Sequence, residues 1–383
     1  MTLLLLACIR PSADYEVGVY GAGNEFDSVL PAPEPHGGVV EYGRYRLWGH
    51  NLGHGLTGLF GDSPRQDGST FVIGHGSFGW PANPSYDRES AILRPGPSVE
   101  DRCVTRLGSP GYYSGVEGVD VGDTIALGAA TLPRDPAWYP RPAGEVWYVG
   151  YGGLMGPSVM DHPIHPPTWY DGETVSMSFG GTVAPDEATI GAIPLPHTAD
   201  IAFPALLTGV TVNGEVVRAP HHLYDEDGVW DGETEDAVRY PSPFTNDLEV
   251  GWDTAGAPVT VAVRVMGWGV EEDCDCDAAC TDGFTCEDGG CVADDGASWA
   301  VLGEVTCTAA DDGSFSIGPD QMRTFTDAVA PWEVAGAVLI VARMEEGTTE
   351  GVPAVRTSNG KAVDINPIRV RTVDLVATRV EVQ

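Results

Sequence analysis

From about residue 40 onward the apolar positions recur every second residue, the period of a strand with one buried face. Val175, Met177 and Phe179 alternate with Ser176 and Ser178, and Val259, Val261, Val263 and Val265 alternate with Thr260, Ala262 and Arg264. Leu248, Val250 and Trp252 repeat the pattern, as do Phe315 and Ile317 and the closing Val376, Thr378, Val380 and Val382. The denser runs Trp147-Tyr148-Val149 and Val338-Leu339-Ile340-Val341 predict strands buried on both faces. Asn213-Gly214 separates two short runs and predicts a hairpin, because both residues tolerate the positive φ of a type I′ turn. Helical periodicity is nearly absent. Pro319 to Phe325 is the best stretch, at most about two turns.

Many short strands between Gly, Pro and Asp turns predict an all-β chain of sandwiches rather than an α/β enzyme. With Gly 50 and Pro 30, the composition supplies those turns. The length, 383 residues, exceeds one core and predicts two β-sandwich (immunoglobulin-like) domains, at 39–218 and 219–383. The boundary falls at Arg218-Ala219-Pro220, before a stretch in which the alternation lapses until Leu248. No repeat with a period of 20 to 50 residues is visible, which argues against propellers and solenoids.

The charge narrows the partners. Lys and Arg number 20 against 56 Asp and Glu, a formal net charge of -36, and Lys361 is the single lysine. Such a surface repels phosphate backbones, so nucleic acid is not expected as a partner. A hydrophobic fraction of 42% with 10 Trp, 13 Tyr and 10 Phe supplies core material, so the acidity does not imply disorder.

No apolar run approaches the roughly 18 residues that a membrane-spanning helix needs. The chain opens with four leucines and Ala7-Cys8, and Leu5-Leu6-Ala7-Cys8 resembles the lipobox of bacterial lipoproteins. The resemblance covers eight residues and departs from the pattern in having no Lys or Arg before the leucines. It implies that residues 1–8 are a short lipoprotein signal, that Cys8 is acylated, and that the protein is exported and held in a membrane only by its lipid. Ile9, rather than aspartate, follows the cysteine, which in that family implies the outer membrane or surface of a Gram-negative bacterium. Residues 9–38, rich in Gly and Pro, read as a tether.

Six of eight cysteines follow in one stretch: Cys274, Cys276, Cys280, Cys286, Cys291 and Cys307. A Gly/Asp-rich loop cannot bury them in a core of its own, so disulfides are expected. Structural zinc, the alternative, usually takes paired Cys-x-x-Cys spacings that are missing here. Cys280 to Val292 looks like the small disulfide-rich modules of bacterial surface lipoproteins. With strands on either side, 271–295 reads as an insertion in the second sandwich. Cys103 is expected to be buried and unpaired in the first, although pairing with the cluster stays open.

Complete catalytic constellations are missing. His50 and His54 lack both the helix and the glutamate of a metalloprotease pair. Asp161, His162 and His165 lie in a proline-kinked loop, and His221 and His222 are adjacent. Gly74-His75-Gly76-Ser77-Phe78-Gly79 falls short of a nucleophile elbow and reads as a glycine-rich turn. No cofactor is required, and calcium is the one candidate. Asp225, Asp227, Asp231, Glu233 and Asp236 surround a glycine and resemble, incompletely, the Asp-rich loops of EF-hands and thrombospondin-type repeats. Asp273, Asp275 and Asp277 form a weaker second set.

Trp138-Tyr139, Trp147-Tyr148, Trp169-Tyr170 and Trp230 are expected mainly as core anchors, with loop-rim binding of a glycan or protein as the alternative. The preferred expectation is a lipid-anchored envelope protein with a binding, adhesion or structural role. The rival is an extracellular glycan-active hydrolase using a carboxylate pair on the first sandwich.

Overall fold

The computed structural model describes residues 15–21, 26–27, 37–48, 70–81, 93, 96–107, 116–134, 146–153, 169–182, 191–217, 240–268, 270–271, 284–287, 290–293, 299–329, 334–356, 362–365 and 368–382. In chain order the first strands are β1 (Tyr15–Gly21), β2 (Phe26–Asp27), β3 (Gly37–Trp48), β4 (Thr70–Pro81), β5 (Arg102–Leu107), β6 (Val116–Asp120), β7 (Thr124–Leu127) and β8 (Ala130–Pro133). Then come β9 (Trp147–Gly153), β10 (Thr174–Phe179), β11 (Gly191–Ala192), β12 (His197–Ala202), β13 (Thr211–Val212), β14 (Glu215–Val216), β15 (Leu248–Gly251) and β16 (Val259–Trp268). The last are β17 (Val270–Glu271), β18 (Phe284–Glu287), β19 (Gly290–Ala293), β20 (Trp299–Ala309), β21 (Ser314–Ile317), β22 (Val334–Thr349), β23 (Val352–Arg356), β24 (Ala362–Ile365) and β25 (Ile368–Val380). A helix, α1 (Pro319–Ala328), is entered through Gly318, whose N–H is capped by the side chain of Gln321. Among the described residues no helix is long and apolar enough to cross a membrane.

The fold is all-β and sandwich-type. A 14-stranded sheet runs β2-β1-β5-β20-β16-β22-β25-β3-β4-β6-β11-β23-β24, with β9 also paired to β4. Two four-stranded sheets, β12-β10-β7-β8 and β14-β13-β15-β21, pack against it. Strand β25 shows how. Ile368 and Val370 belong to one core, and Val376 and Val380 to the other. These are all even positions on a strand paired without register shifts to β22 and β3. Side chains two apart share a face, so both small sheets lie on the same side of the large one. The first core takes Val40, Tyr42, Phe78, Tyr148, Met177 and Phe179, and the second takes Val261, Val263, Val305, Leu339, Val250 and Phe325.

The predicted alternation is visible in the burial. Met177 and Phe179 are buried in β10 while Ser176 is exposed, and Ile317 is buried in β21 between exposed serines and α1. Val338 to Val341 are all buried, as a strand covered on both faces requires. Asn213 and Gly214 take φ of 52° and 78° in the β13–β14 hairpin, the left-handed pair that a type I′ turn needs.

Four expectations are corrected. The linear division at 218/219 does not follow the sheets: β5 pairs with β20, β3 pairs in parallel with β25, and 352–370 joins the first core. Period-two patterns state which face is buried but not which strand lies alongside. The tether at 9–38 contains structure, since β1 pairs with β5 across Tyr15↔Leu107 to Gly21↔Arg102, and β3 starts at Gly37. Residues 74–79 form part of strand β4 rather than a turn; a Cβ on Gly74 would collide with Leu132 and one on Gly76 with Ile125, so the glycines let the β7–β8 hairpin sit close. The helix is ten residues long, beyond the predicted stretch.

A further correction concerns cysteine. Cys103 is buried as expected but not free: it is bonded to Cys307, its direct cross-strand partner between β5 and β20. Cys307 is therefore tied to the sheet and not to the insertion. Cys8, Cys274, Cys276 and Cys280 lie outside the described residues. Cys286 and Cys291 are register partners in the β18–β19 hairpin of a separate three-stranded sheet.

The face of the large sheet away from the small sheets holds charge. Arg264 donates to Glu304 through Nε and Nη2, at 3.1 and 2.8 Å, and Arg106 Nη1 lies 3.9 Å from the other carboxylate oxygen. Arg371 donates to Glu41 at 2.8 Å and to the Leu93 carbonyl at 3.1 Å. On the opposite face Asp311 is held by Trp252 Nε1, Arg343 Nη2 and the N–H groups of Ala255 and Gly256. Burial pushes its pKa up, but these four donors outweigh burial and hold it at about 2 against an ordinary 3.8.

Two tests follow from this architecture. Replacing both Cys103 and Cys307 by Ala reopens a loop of 204 residues and should lower unfolding free energy by about 2–5 kcal/mol, read as a reduced urea midpoint. Because the folded Asp311 value is depressed, its contribution is complete above pH 3.8 and fades as pH falls toward 2. Asp311→Asn should cost about 1–2 kcal/mol at neutral pH and progressively less in urea titrations at falling acid pH.

Candidate functional site

One concave feature collects polar chemistry. Strand β12 runs beside the far half of β22, and between them lies a groove of about 200 Å³ lined by Asp200, Glu345, Glu346, Thr348 and Thr349, with Ile201 and Val370 also in the wall. Its position follows from strand register. Glu345 opposes Thr372 and Gly347 opposes Val370, so Glu345 stands on the face that carries the small sheets. In β12 the exposed Asp200 precedes the buried Ile201, which enters the first core and fixes the strand's height above β22.

A short segment joins the groove to the second core, and its backbone is pinned at both ends. Thr372 Oγ1 donates to the Ala202 carbonyl at 2.7 Å. Asp374 accepts the Leu207 N–H at 2.7 Å, and Arg343 donates to the Leu206 carbonyl at 2.9 Å. Asp374 is itself clasped by Arg44 at 2.8 Å and Arg46 at 3.2 Å. The Arg44 guanidinium lies over the Trp169 ring, 5.8 Å from its centroid. Burial draws the Arg46 pKa down, opposed by Asp374.

His197 contacts the groove wall through Thr349. Its Nε2 lies 3.2 Å from Thr349 Oγ1 and its ring packs 5.2 Å from that of Phe179. Burial lowers its pKa, partly offset by the nearby Glu350 carboxylate. From β22 the Glu345 carboxylate and the Thr349 hydroxyl stand on the groove face, while Glu346 opposes Arg371 and pairs with it at 3.4 Å on the other face. These acceptors suit hydroxyl-bearing or cationic ligand groups. No aromatic ring is among these lining residues. Among the described residues no group of three or more His, Cys, Asp or Glu is placed to hold a metal ion.

The residues singled out in the sequence contribute little to this groove. Asp225, Asp227, Asp231, Glu233 and Asp236 lie outside the described residues, as do Asp273, Asp275 and Asp277. So do His50, His54, Asp161, His162, His165, His221 and His222, and the aromatics Trp138, Tyr139 and Trp230. Tyr148 is a core anchor: it donates to Asp120 at 2.9 Å, accepts the Val121 N–H, and is fully buried. Trp169 and Tyr170 are half-buried against the first core. Conversely, Asp200, Glu345, Glu346 and His197 carry no sequence motif. The one local signal is Glu345-Glu346 interrupting a strand whose preceding residues are apolar.

The chain matches no protein-family model and no curated protein sequence.

The groove yields a direct test. Since burial favours neutral imidazole, the His197 ring should titrate below 6.5 by NMR, and Glu350→Gln should lower that value further. A midpoint above 6.5 would contradict the burial described here.

Proposed function

We propose that this is an exported envelope protein, anchored by an acyl chain on Cys8, that binds a glycan or protein ligand rather than transforming it. The observation that carries the export reading is the Cys103–Cys307 disulfide within the second core, since such bonds persist in oxidising compartments. The cysteine-rich stretch and the Leu5-Leu6-Ala7-Cys8 motif agree with that compartment. The acidic surface serves as a solvating coat. The lipid is the only membrane attachment in this reading, with the outer membrane or cell surface as its destination.

Binding is assigned to the groove lined by Asp200, Glu345 and Thr349, whose acceptors fit sugar hydroxyls. The lining carboxylates Asp200 and Glu345 are the observation that favours the rival, a glycan-active hydrolase, because two carboxyls are what such chemistry employs. Register leaves a single carboxylate, Glu345, facing the groove from β22, since Glu346 is paired with Arg371 on the other face, and this tips the balance to binding.

The decisive measurement for the anchor is metabolic labelling with a fatty acid. Wild-type protein should carry label and Cys8→Ser should carry none; label retained by the variant refutes the assignment. On a glycan array the full chain should lose signal at least tenfold on Glu345→Gln without releasing sugar from any bound glycan. Sugar release by wild type that the same variant abolishes would establish the hydrolase instead.

A further inference from the structure

The row of residues at one end of the large sheet has a consequence for how the molecule stands on a membrane. Tyr15 pairs with Leu107, Leu107 with Gly303, Gly303 with Val265, Val265 with Ala337, and Ala337 with Val380. Six strands therefore end or pass level with Tyr15. From that row β22 and β25 continue together to Thr349↔Ile368, twelve residues further along β22, or roughly 40 Å at strand spacing. The groove residues Glu345, Glu346 and Thr349 occupy the far part of that length. His197 meets Thr349 there, which places the start of β12 at the same far end.

Cys8 precedes Tyr15 by seven residues, a span of at most about 25 Å even when fully extended. An acyl chain on Cys8 thus leaves β1 little freedom to leave the bilayer surface. The strand is also paired to β5 on one side and β2 on the other, so it cannot swing without breaking sheet pairing. We infer that the Tyr15–Leu107–Gly303–Ala337–Val380 end of the sheet is held at the bilayer, with the second core nearest the lipid, and that the groove is presented away from it. This rests on the reading of Cys8 as the lipid-bearing residue and specifies which surface faces the membrane. A chain of net charge -36 gains nothing from lying flat on anionic lipid, which favours standing on the tether end.

The orientation is measurable on the acylated full-length protein in phosphatidylcholine vesicles that contain a headgroup-labelled acceptor lipid. A fluorescent amino acid replaces either Glu381, exposed beside Val380, or Leu195, 58% exposed just before β12. Mass spectrometry of the N-terminal peptide establishes acylation independently. Energy transfer from position 381 should be at least twofold that from position 195. Equal or reversed transfer with Cys8 acylated overturns the orientation and leaves the anchor standing. An unacylated Cys8 overturns the anchor and the orientation with it. Inserting about 20 Gly/Ser residues after Ala13 should bring the two transfer values together. An undiminished preference in that variant would mean that the short span does not set the orientation, and would also overturn the inference.

Discussion

The buried carboxylate of Asp374 is the contact on which the arrangement of the two cores depends. It stands on β25 between Val370, which belongs to the first core, and Val376, which belongs to the second. With no exposure of its own, it must be paired and hydrogen-bonded, because an isolated buried charge costs several kcal/mol. Arg44 and Arg46 from the neighbouring β3 neutralise it, and the Leu207 N–H takes part of its remaining acceptor capacity. The segment from Ala202 to Leu207 carries the chain from one small sheet to the other. It is thereby fixed across the large sheet at the point where apolar packing from either side gives out. A carboxylate there specifies position more than it adds stability, since a buried pair recovers little beyond its own desolvation.

The bias toward arginine has a structural counterpart. Arg106, Arg264, Arg343 and Arg371 are buried, and each reaches a carboxylate or a backbone carbonyl across strands. A planar guanidinium offers several fixed donors and is more weakly hydrated than an ammonium, so it suits such interior struts where lysine does not. Part of the acidity is consumed the same way: Glu41, Glu304, Asp120 and Asp374 are buried partners of arginines. Other described acids, such as Asp200, Glu215 and Asp312, are exposed to solvent instead.

The disulfide acts on the same problem as Asp374, by covalent means. Strand β5 comes from a stretch of chain between β4 and β6, which belong to the first core, yet it pairs within the second. Joining Cys103 to Cys307 holds that excursion in register while the strands on either side of it in the chain pack elsewhere. The groove lies where the Ala202–Leu207 crossover begins. Its walls come from β12 and β22, which are separated by more than a hundred residues and brought together only by the pinned crossover.

The chain on its own determined the all-β class, the strands at 174–179, 248–251, 259–268 and 338–341, the Asn213-Gly214 turn and a short helix after Gly318. Each is a local property: alternation, turn chemistry and helical periodicity act over a few residues, so the order of side chains is enough to specify them. Tertiary structure alone decided that β3 lies parallel to β25, that β5 leaves its sequence neighbours for β20, that Cys103 meets Cys307, and that Asp200 and Glu345 line one groove. Those pairings join residues from about 145 to 330 positions apart. Backbone hydrogen bonding is alike for every strand, and alternation marks only the buried face. Partner choice therefore falls to the packing of whole cores and to a few buried charges that tolerate one arrangement.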